Sequence, residues 1–298
     1  MNWYQMLMGI GYLLVFLVAL IGAAFVLKWQ QRPKSPFKAD TRLLRQPGES
    51  LLKKLQKMDD DFPLVLLGAM VAPVLLSLFA FGTLLKWKLA SPRMAVGLVI
   101  TILMAATIAS AWFVAWMALR RARHYLGYFG ERVVAERLEP LRGEGWRIIH
   151  DVPAKVGKKK FNVDHVAIGR TGIYAIETKA RRKGGAIKGR KDHEVVYDGK
   201  MMLWPDKNEE PYGVKKAIDR ARWLEGWLTE AIGEKLEVKP ILAFPEWFVK
   251  EACVDPRLRV VSSSLLCSVL TAGRTVLTAE QIDRFARPLE QRCRDVEY

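Results

Sequence analysis

The 298-residue sequence contains only three cysteines and four histidines. Cys253, Cys267 and Cys293 are odd in number and have no Cys-x-x-Cys spacing, so they read as reduced cytosolic thiols, neither a disulfide framework nor a zinc site. His124, His150 and His193 have no metal-ligand spacing. Internal repeats and low-complexity tracts are also missing. The most informative absence is charge: residues 1–27, 62–85 and 94–119 carry no Asp, Glu, Lys or Arg. Each run exceeds the roughly 20 apolar residues that a helix needs to cross a hydrocarbon core. The pattern predicts three transmembrane helices, near 3–27, 62–85 and 94–119. The first run lacks the basic flank of a signal peptide and is too long for one, which favours a retained span. No acid or base interrupts any of the three, which argues against ion conduction or a proton relay.

What is present elsewhere is positive charge, +16 overall in a chain that is 51% apolar. The segment 28–61 carries nine basic residues, the link Lys-Trp-Lys-Leu-Ala-Ser-Pro-Arg three, and Arg120 to Arg123 follows the third run directly. The positive-inside bias then puts the 28–61 loop and everything after residue 119 in the cytoplasm, with the N-terminus outside. The expected location is that of a multi-pass cell-membrane protein, in the inner membrane if the cell is Gram-negative. Within the basic loop, Leu51, Leu52, Leu55 and Met58 fall on one helical face. They suit a juxtamembrane amphipathic helix on anionic lipid or an ordinary linker helix.

Residues 120–298 are long enough for an independent core and read as a mixed α/β domain. Val133, Val134, Leu138 and Leu141 predict a helix between Gly127 and Gly143, and WRIIHDVP a short strand ended by Pro153. FNVDHVAI and GIYAIETK alternate apolar with polar residues around the turn GRTG and predict an antiparallel hairpin. GAIKG and EVVYDGKMMLW suggest a peripheral β extension. A long helix follows Pro211, then the strand KPILAF, a further strand at VVSSSLL and a terminal helix over 279–293. The core order is helix, three strands, helix, strand.

Between Lys155 and Lys191 there are twelve basic residues and two acids, Asp164 and Glu177. Side chains two positions apart on a strand share a face, so Glu177 and Lys179 point together, and Asp164 can meet them across the hairpin. Two close carboxylates ionise together only at a cost that a cation removes. Mg²⁺ (or Mn²⁺) suits such a pair, because it takes one or two carboxylates and completes its shell with water and phosphate oxygens. Glu131 on the preceding helix can add a third acid. A lateral Glu–Lys salt bridge and a turn-forming Asp account for the same residues without chemistry. A face of one sign is nonetheless the footprint of a polyanion binder.

YFGERVVAERL, then FNVDHVAIGRTGIYAIETKARRKGGAIKG, Trp204 and the helix after Pro211 together resemble the nuclease-related domain (NERD) of the PD-(D/E)XK nuclease superfamily, over roughly residues 127–244. The resemblance implies a restriction-endonuclease-like αβββαβ core and Mg²⁺-dependent phosphodiester hydrolysis. It implies that Asp164, Glu177 and Glu131 hold the metal and that Lys179 is the catalytic lysine. Val163 stands where the superfamily name has proline, and the helix after Pro211 starts with Val214, Lys215 and Lys216 where a glutamine is common in this family.

The expected function is that of a membrane-anchored nuclease acting on cytosolic nucleic acid, foremost DNA. Lys158, Lys159, Lys160, Arg181, Arg182, Lys183, Lys188, Arg190 and Lys191 would neutralise backbone phosphates. Alternatives are a catalytically inactive module that binds nucleic acid or anionic lipid, and a membrane-assembly subunit. His165 should point to the face opposite Asp164 and read as packing or surface in preference to a metal ligand, and Trp223 and Trp227, at helical spacing, read as core in preference to a base-stacking platform. Gly184, Gly185 and Gly189 lack the strand-to-helix setting of a P-loop, and Ser262 to Ser264 lack a nucleophile elbow.

Overall fold

A computed structural model describes residues 41–87, 91–185, 188–189, 191–206, 209–253 and 255–296, with isolated positions between 12 and 26. The first expected span therefore lies almost wholly outside the described residues, as does Arg190. The chain divides into two compact units, one built around residues 61–110 and the other from 42–60 with 111–297.

The first unit is helical. It takes the apolar part of α1 (Glu49–Lys86) and the first part of α2 (Pro92–Leu138). Both helices are long and apolar enough to cross a membrane. Their large side chains, among them Leu64, Met70, Phe79, Ile100 and Ile108, are exposed and do not form a buried protein core. The amphipathic segment around residue 51 is the opening of α1 itself and forms no separate helix. Three successive aspartates and then Pro63 follow it, and α1 runs on through them to Lys86. Likewise, the helix expected to begin near Gly127 continues unbroken from the third apolar run, since one glycine costs a helix only about 1 kcal/mol.

The second unit is a three-layer α/β arrangement. A five-stranded sheet runs β10-β8-β4-β3-β2, with β2 (Arg147–Val156), β3 (Lys159–Gly169) and β4 (Gly172–Thr178) forming an antiparallel meander. β8 (Val238–Phe244) and β10 (Arg259–Ser262) extend it in parallel beside β4. Parallel pairing of β4 and β8 requires a crossover, supplied by α4 (Tyr212–Ile232). Alternation divides the core. Ile173 and Ala175 pack with Val166 and Ile168 against Ala221, Leu224 and Leu228 of α4 and Phe285 and Leu289 of α6 (Ala279–Arg292). Tyr174 and Ile176 face the opposite way, against Val134 and Leu138 of α2, Leu141 of the short α3 (Pro140–Gly143) and Leu266 and Leu270 of α5 (Leu266–Thr271). A peripheral four-stranded sheet joins β5 (Glu194–Tyr197), β6 (Met202–Leu203), β7 (Glu209–Glu210) and β9 (Phe248–Glu251) around buried Tyr197, Met202 and Trp204.

Two glycines make close approaches possible. At Gly169, where the β3–β4 turn begins, a Cβ would lie 2.1 Å from the Trp146 ring. At Gly130 of α2 a Cβ would lie 2.6 Å from the Cβ of Ala180, just past the end of β4. The missing side chain lets α2 approach the chain directly beyond the hairpin, and the next residue, Glu131, is carried to the same sheet edge. Gly130→Leu is expected to destabilise the protein by about 1–3 kcal/mol through overpacking, read as a lower midpoint in chemical denaturation. A surface control, Gly143→Ala, has nothing within 4 Å of the new Cβ and should leave the midpoint almost unchanged.

Candidate active site

Asp164 and Glu177 point to the same face of the sheet. Each lies in register with apolar residues that pack on α4: Asp164 precedes Val166 and Ile168 at two-residue spacing, and Glu177 follows Ile173 and Ala175. On that face they meet α4. Arg220 Nη1 donates to Asp164 Oδ1 at 2.6 Å and also to Glu177 Oε2, so one nitrogen bridges the two acids. Lys216, one turn earlier on the helix, holds Glu177 Oε1 at 2.6 Å. Asp164 Oδ2 accepts from the Thr178 backbone N–H at 2.9 Å. The two acids are 5% and 2% exposed.

A second acid pair lies beside the first. Asp151 of β2 stands opposite Asp164, between the pairs His150–His165 and Val152–Val163, with φ at +50°. That left-handed conformation is unusual for a residue with a side chain. It is held by partners: Asp151 accepts from Ser50 Oγ at 2.6 Å, Arg45 Nη1 at 2.9 Å and Asn162 Nδ2 at 2.8 Å. Glu131 is buried, and among the described residues no donor reaches its Oε2.

These surroundings separate the four acids. Burial, followed by Asp164, Asp151 and Glu177, pushes the Glu131 carboxyl up to about 9. Burial and then Asp164 raise Glu177 to about 7, against the pull of Arg220 and Lys216. For Asp164 burial also acts upward, but Arg220, Lys216 and the Thr178 N–H outweigh it and hold the carboxyl below its ordinary range. Asp151 is raised by burial in spite of Ser50 and Arg45. The cluster at neutral pH therefore combines an ionised Asp164, a protonated Glu131 and two cations from α4.

Above these groups opens a cleft of 1370 Å³, lined by Glu131, Asp151, Asp164, Lys179 and Arg220 and by Lys159, Lys160, Lys215 and Lys216. Glu177 does not line it. Its carboxylate lies beneath, reached through Lys216 and Arg220. Lys179 lies just beyond β4, its backbone N–H bonded to Ala243 O at 2.9 Å. The proposed phosphate-binding lysines and arginines are less uniform than their sequence suggests. Lys158, Lys159, Lys160, Arg182, Lys183, Lys188 and Lys191 are exposed. Arg181 instead donates to Asp206 at 2.7 Å and lies 4.4 Å over the Trp204 ring. His165 is fully buried on the far face of the sheet, its Nδ1 2.9 Å from Nδ1 of His150. Burial depresses both imidazoles, to about 4 and about 2, and keeps them neutral.

Sequence reasoning missed Arg220, Lys216 and Asp151. A signal for the first two was present: they are four residues apart on one helical line, and Arg220 sits among Ala217, Ala221 and Leu224, where a solvent-facing charge would not be placed. Asp151 carried a signal of its own, since it alternates with Ile149 on β2 and falls in register opposite Asp164; its positive φ and its partners Ser50 and Arg45 are what the sequence does not show.

A divalent cation suits the residues present in one respect that Arg220 makes visible. Two carboxylate oxygens converge on a single nitrogen, which is the convergence that Mg²⁺ asks of a protein before water and phosphate oxygens complete its shell. Glu131 Oε2 adds an oxygen without a donor. Among the described residues no three Asp, Glu, His or Cys side chains surround one point, so the fit is that of an ion held by two carboxylates and in competition with Arg220.

Two outcomes follow from this electrostatic arrangement. Glu131 keeps a proton in the folded chain that the unfolded chain gives up near its ordinary value of 4.5, so folding stability falls as pH rises from there toward 9. Glu131→Gln should therefore melt above wild type at pH 8, by about 2–4 °C for each kcal/mol of penalty relieved, and close to it at pH 4.5. Arg220→Met leaves a buried acid pair without its bridging cation and should cost about 3–5 kcal/mol in chemical denaturation. Millimolar Mn²⁺ should then restore more of the midpoint than it adds to wild type.

The family model described as nuclease-related domain (NERD) matches residues 126–245, from the last turns of α2 through the end of β8. No curated protein and no solved structure matches the chain. The matched segment contains Glu131, Asp164, Glu177 and Lys179 and also the α4 residues that hold the acids. Residues 126–245 are thus similar to a nuclease-related domain, in a chain that also holds two helices long and apolar enough to cross a membrane.

Proposed function

We propose that this protein is a membrane-anchored, metal-dependent nuclease whose cytosolic domain, residues 120–298, has a restriction-endonuclease-like core and hydrolyses phosphodiester bonds, with DNA as the foremost substrate. The observation that carries the reading is the convergence of Asp164 and Glu177 on one point at the floor of a lysine-lined cleft, within a nuclease-related domain. Mg²⁺ or Mn²⁺ held by Asp164 and Glu177, with Glu131 beside them, would polarise the phosphate and lower the pKa of a bound water. Lys179 lines the cleft and offers a donor to the charge that develops on the phosphate oxygens. The exposed lysines 158–160 with Arg182, Lys183, Lys188 and Lys191 hold the strand through its phosphates. Arg190 belongs to the same basic loop by sequence. The apolar helices fix the domain to a bilayer with the N-terminus outside and the basic segments in the cytoplasm.

The Arg220 bridge also supports a second reading. A site whose acids are neutralised by the chain's own cations can serve as a non-catalytic module that binds nucleic acid or anionic lipid. The two readings separate in one assay. The purified full-length chain is incubated with plasmid, linear duplex and single-stranded DNA in Mg²⁺, in Mn²⁺ and in chelator. The nuclease reading expects metal-dependent nicking, lowered about 100-fold or more in Asp164→Ala and Lys179→Ala. Salt-sensitive DNA binding with no nicking in any metal would sink the catalytic reading, and nicking unchanged in both variants would remove these residues from the site.

A further inference from the structure

Two aromatic side chains share the cleft with the acids. Phe161 enters it from β3, directly after Lys159 and Lys160, and Trp223 enters it from α4. Their ring centroids are 5.5 Å apart and the rings meet edge to face, at 76°. Trp223 is fixed from behind. It stacks on Trp227 at 6.2 Å with 12° between the planes, and Arg292 lies over both rings, 5.5 Å from Trp223 and 4.8 Å from Trp227. Helical spacing reads Trp223 and Trp227 as core, and both do pack on the apolar layer between the sheet and the helices. Yet both are only partly buried, as is Phe161. Trp223 and Phe161 present surface to a cleft whose other walls are lysines and carboxylates.

Position gives the aromatic pair its meaning. Trp223 lies three residues after Arg220, about 4.5 Å further along the helix axis and on a neighbouring face. A ligand whose phosphate sits near Asp164 and Lys179 would therefore set its next group against Phe161 and Trp223. For nucleic acid that group is a base. Bases inside a duplex are already stacked and cannot reach such a surface, whereas an unpaired base presents a π-face that any aromatic ring accepts. Lys159, Lys160 and Lys215 are exposed on the same cleft and supply the charge that a phosphate backbone needs.

We propose that Phe161 and Trp223 form a stacking subsite for an unpaired nucleobase, so that the cleft takes single-stranded nucleic acid or the frayed end of a duplex. The subsite rests on the nuclease reading only for where the scissile phosphate lies; stacking itself needs neither metal nor turnover. Rigid support from Trp227 and Arg292 means that little side-chain freedom is lost when a base docks.

The test is binding by the full-length chain in chelator, with short single-stranded oligonucleotides carrying 2-aminopurine at successive positions and a blunt duplex of the same sequence as probes. The expected results are tighter binding of the single strand and quenching at one or two adjacent positions. Phe161→Ala and Trp223→Ala should each weaken single-strand binding by about tenfold and abolish the quenching, with duplex affinity unchanged. Trp223→Phe should keep most of both. Phe161 lies outside the apolar layer that includes Trp223, so Phe161→Ala keeps the test decisive if Trp223→Ala unfolds. Equal loss for single strand and duplex, unquenched fluorescence at every position, or binding of anionic vesicles without any oligonucleotide binding would overturn the subsite. Position-specific quenching in a protein that never cleaves would support the subsite while ending the nuclease reading.

Discussion

The second unit depends on one buried charge arrangement: Arg220 between Asp164 and Glu177. Two carboxylates this deeply buried are costly unless a cation compensates them, and their repulsion would otherwise separate β3 from the end of β4. Arg220 removes that cost and at the same time sets the rotation of α4 against the sheet. The apolar residues one step away on the helix, Ala217, Ala221 and Leu224, can then face the core. Lys216 completes the compensation from the preceding turn. The active-site candidate and the helix–sheet junction are one feature, so mutations that alter its charge will report on stability as well as on chemistry.

Asp151 extends the arrangement outward. Its carboxylate gathers Ser50 from the start of α1, Asn162 from β3 and Arg45, which also pairs with Asp295 near the chain's end at 2.6 Å. A short antiparallel pairing of β1 (Leu43–Leu44) with β11 (Arg294–Val296) runs alongside. Segments distant in sequence are thus fastened next to the acids, and the positive φ at Asp151 is maintained by these partners. Glu131 lies at the same edge because Gly130 lets α2 come within reach of Ala180. The result is a site assembled from α1, α2, the first three strands of the sheet and α4.

Much of this was legible in the residues themselves. The alternation of FNVDHVAI and GIYAIETK put Asp164 and Glu177 on one face, and the structure keeps them there because the intervening Val166, Ile168, Ile173 and Ala175 are held in the core by α4 and α6. The same alternation sent His165 to the far face, where it pairs with His150. EVVYDGKMMLW supplies β5 and β6 of the peripheral sheet and the strand expected at VVSSSLL is present over Val260–Ser262, whereas the chain turns helical from Ser263 and GAIKG adds no strand among the described residues. Helix ends were less legible: α1 runs from a charged stretch through Pro63 into an apolar one, and α2 from an apolar stretch into a charged one, so a change of composition does not mark a boundary.

The sequence by itself determined the separation of apolar helices from a basic α/β domain, the hairpin, and the two acids with Lys179 after them. Those features come from local periodicity and composition, which act over a few residues. Only the tertiary structure decided which cations meet the acids, that Glu177 lies under the cleft while Asp164 lines it, and that Phe161 and Trp223 share its wall. These depend on how α4 is turned against the sheet. Packing of the whole apolar layer and the Arg220 bridge settle that rotation together, and no short stretch of sequence contains both.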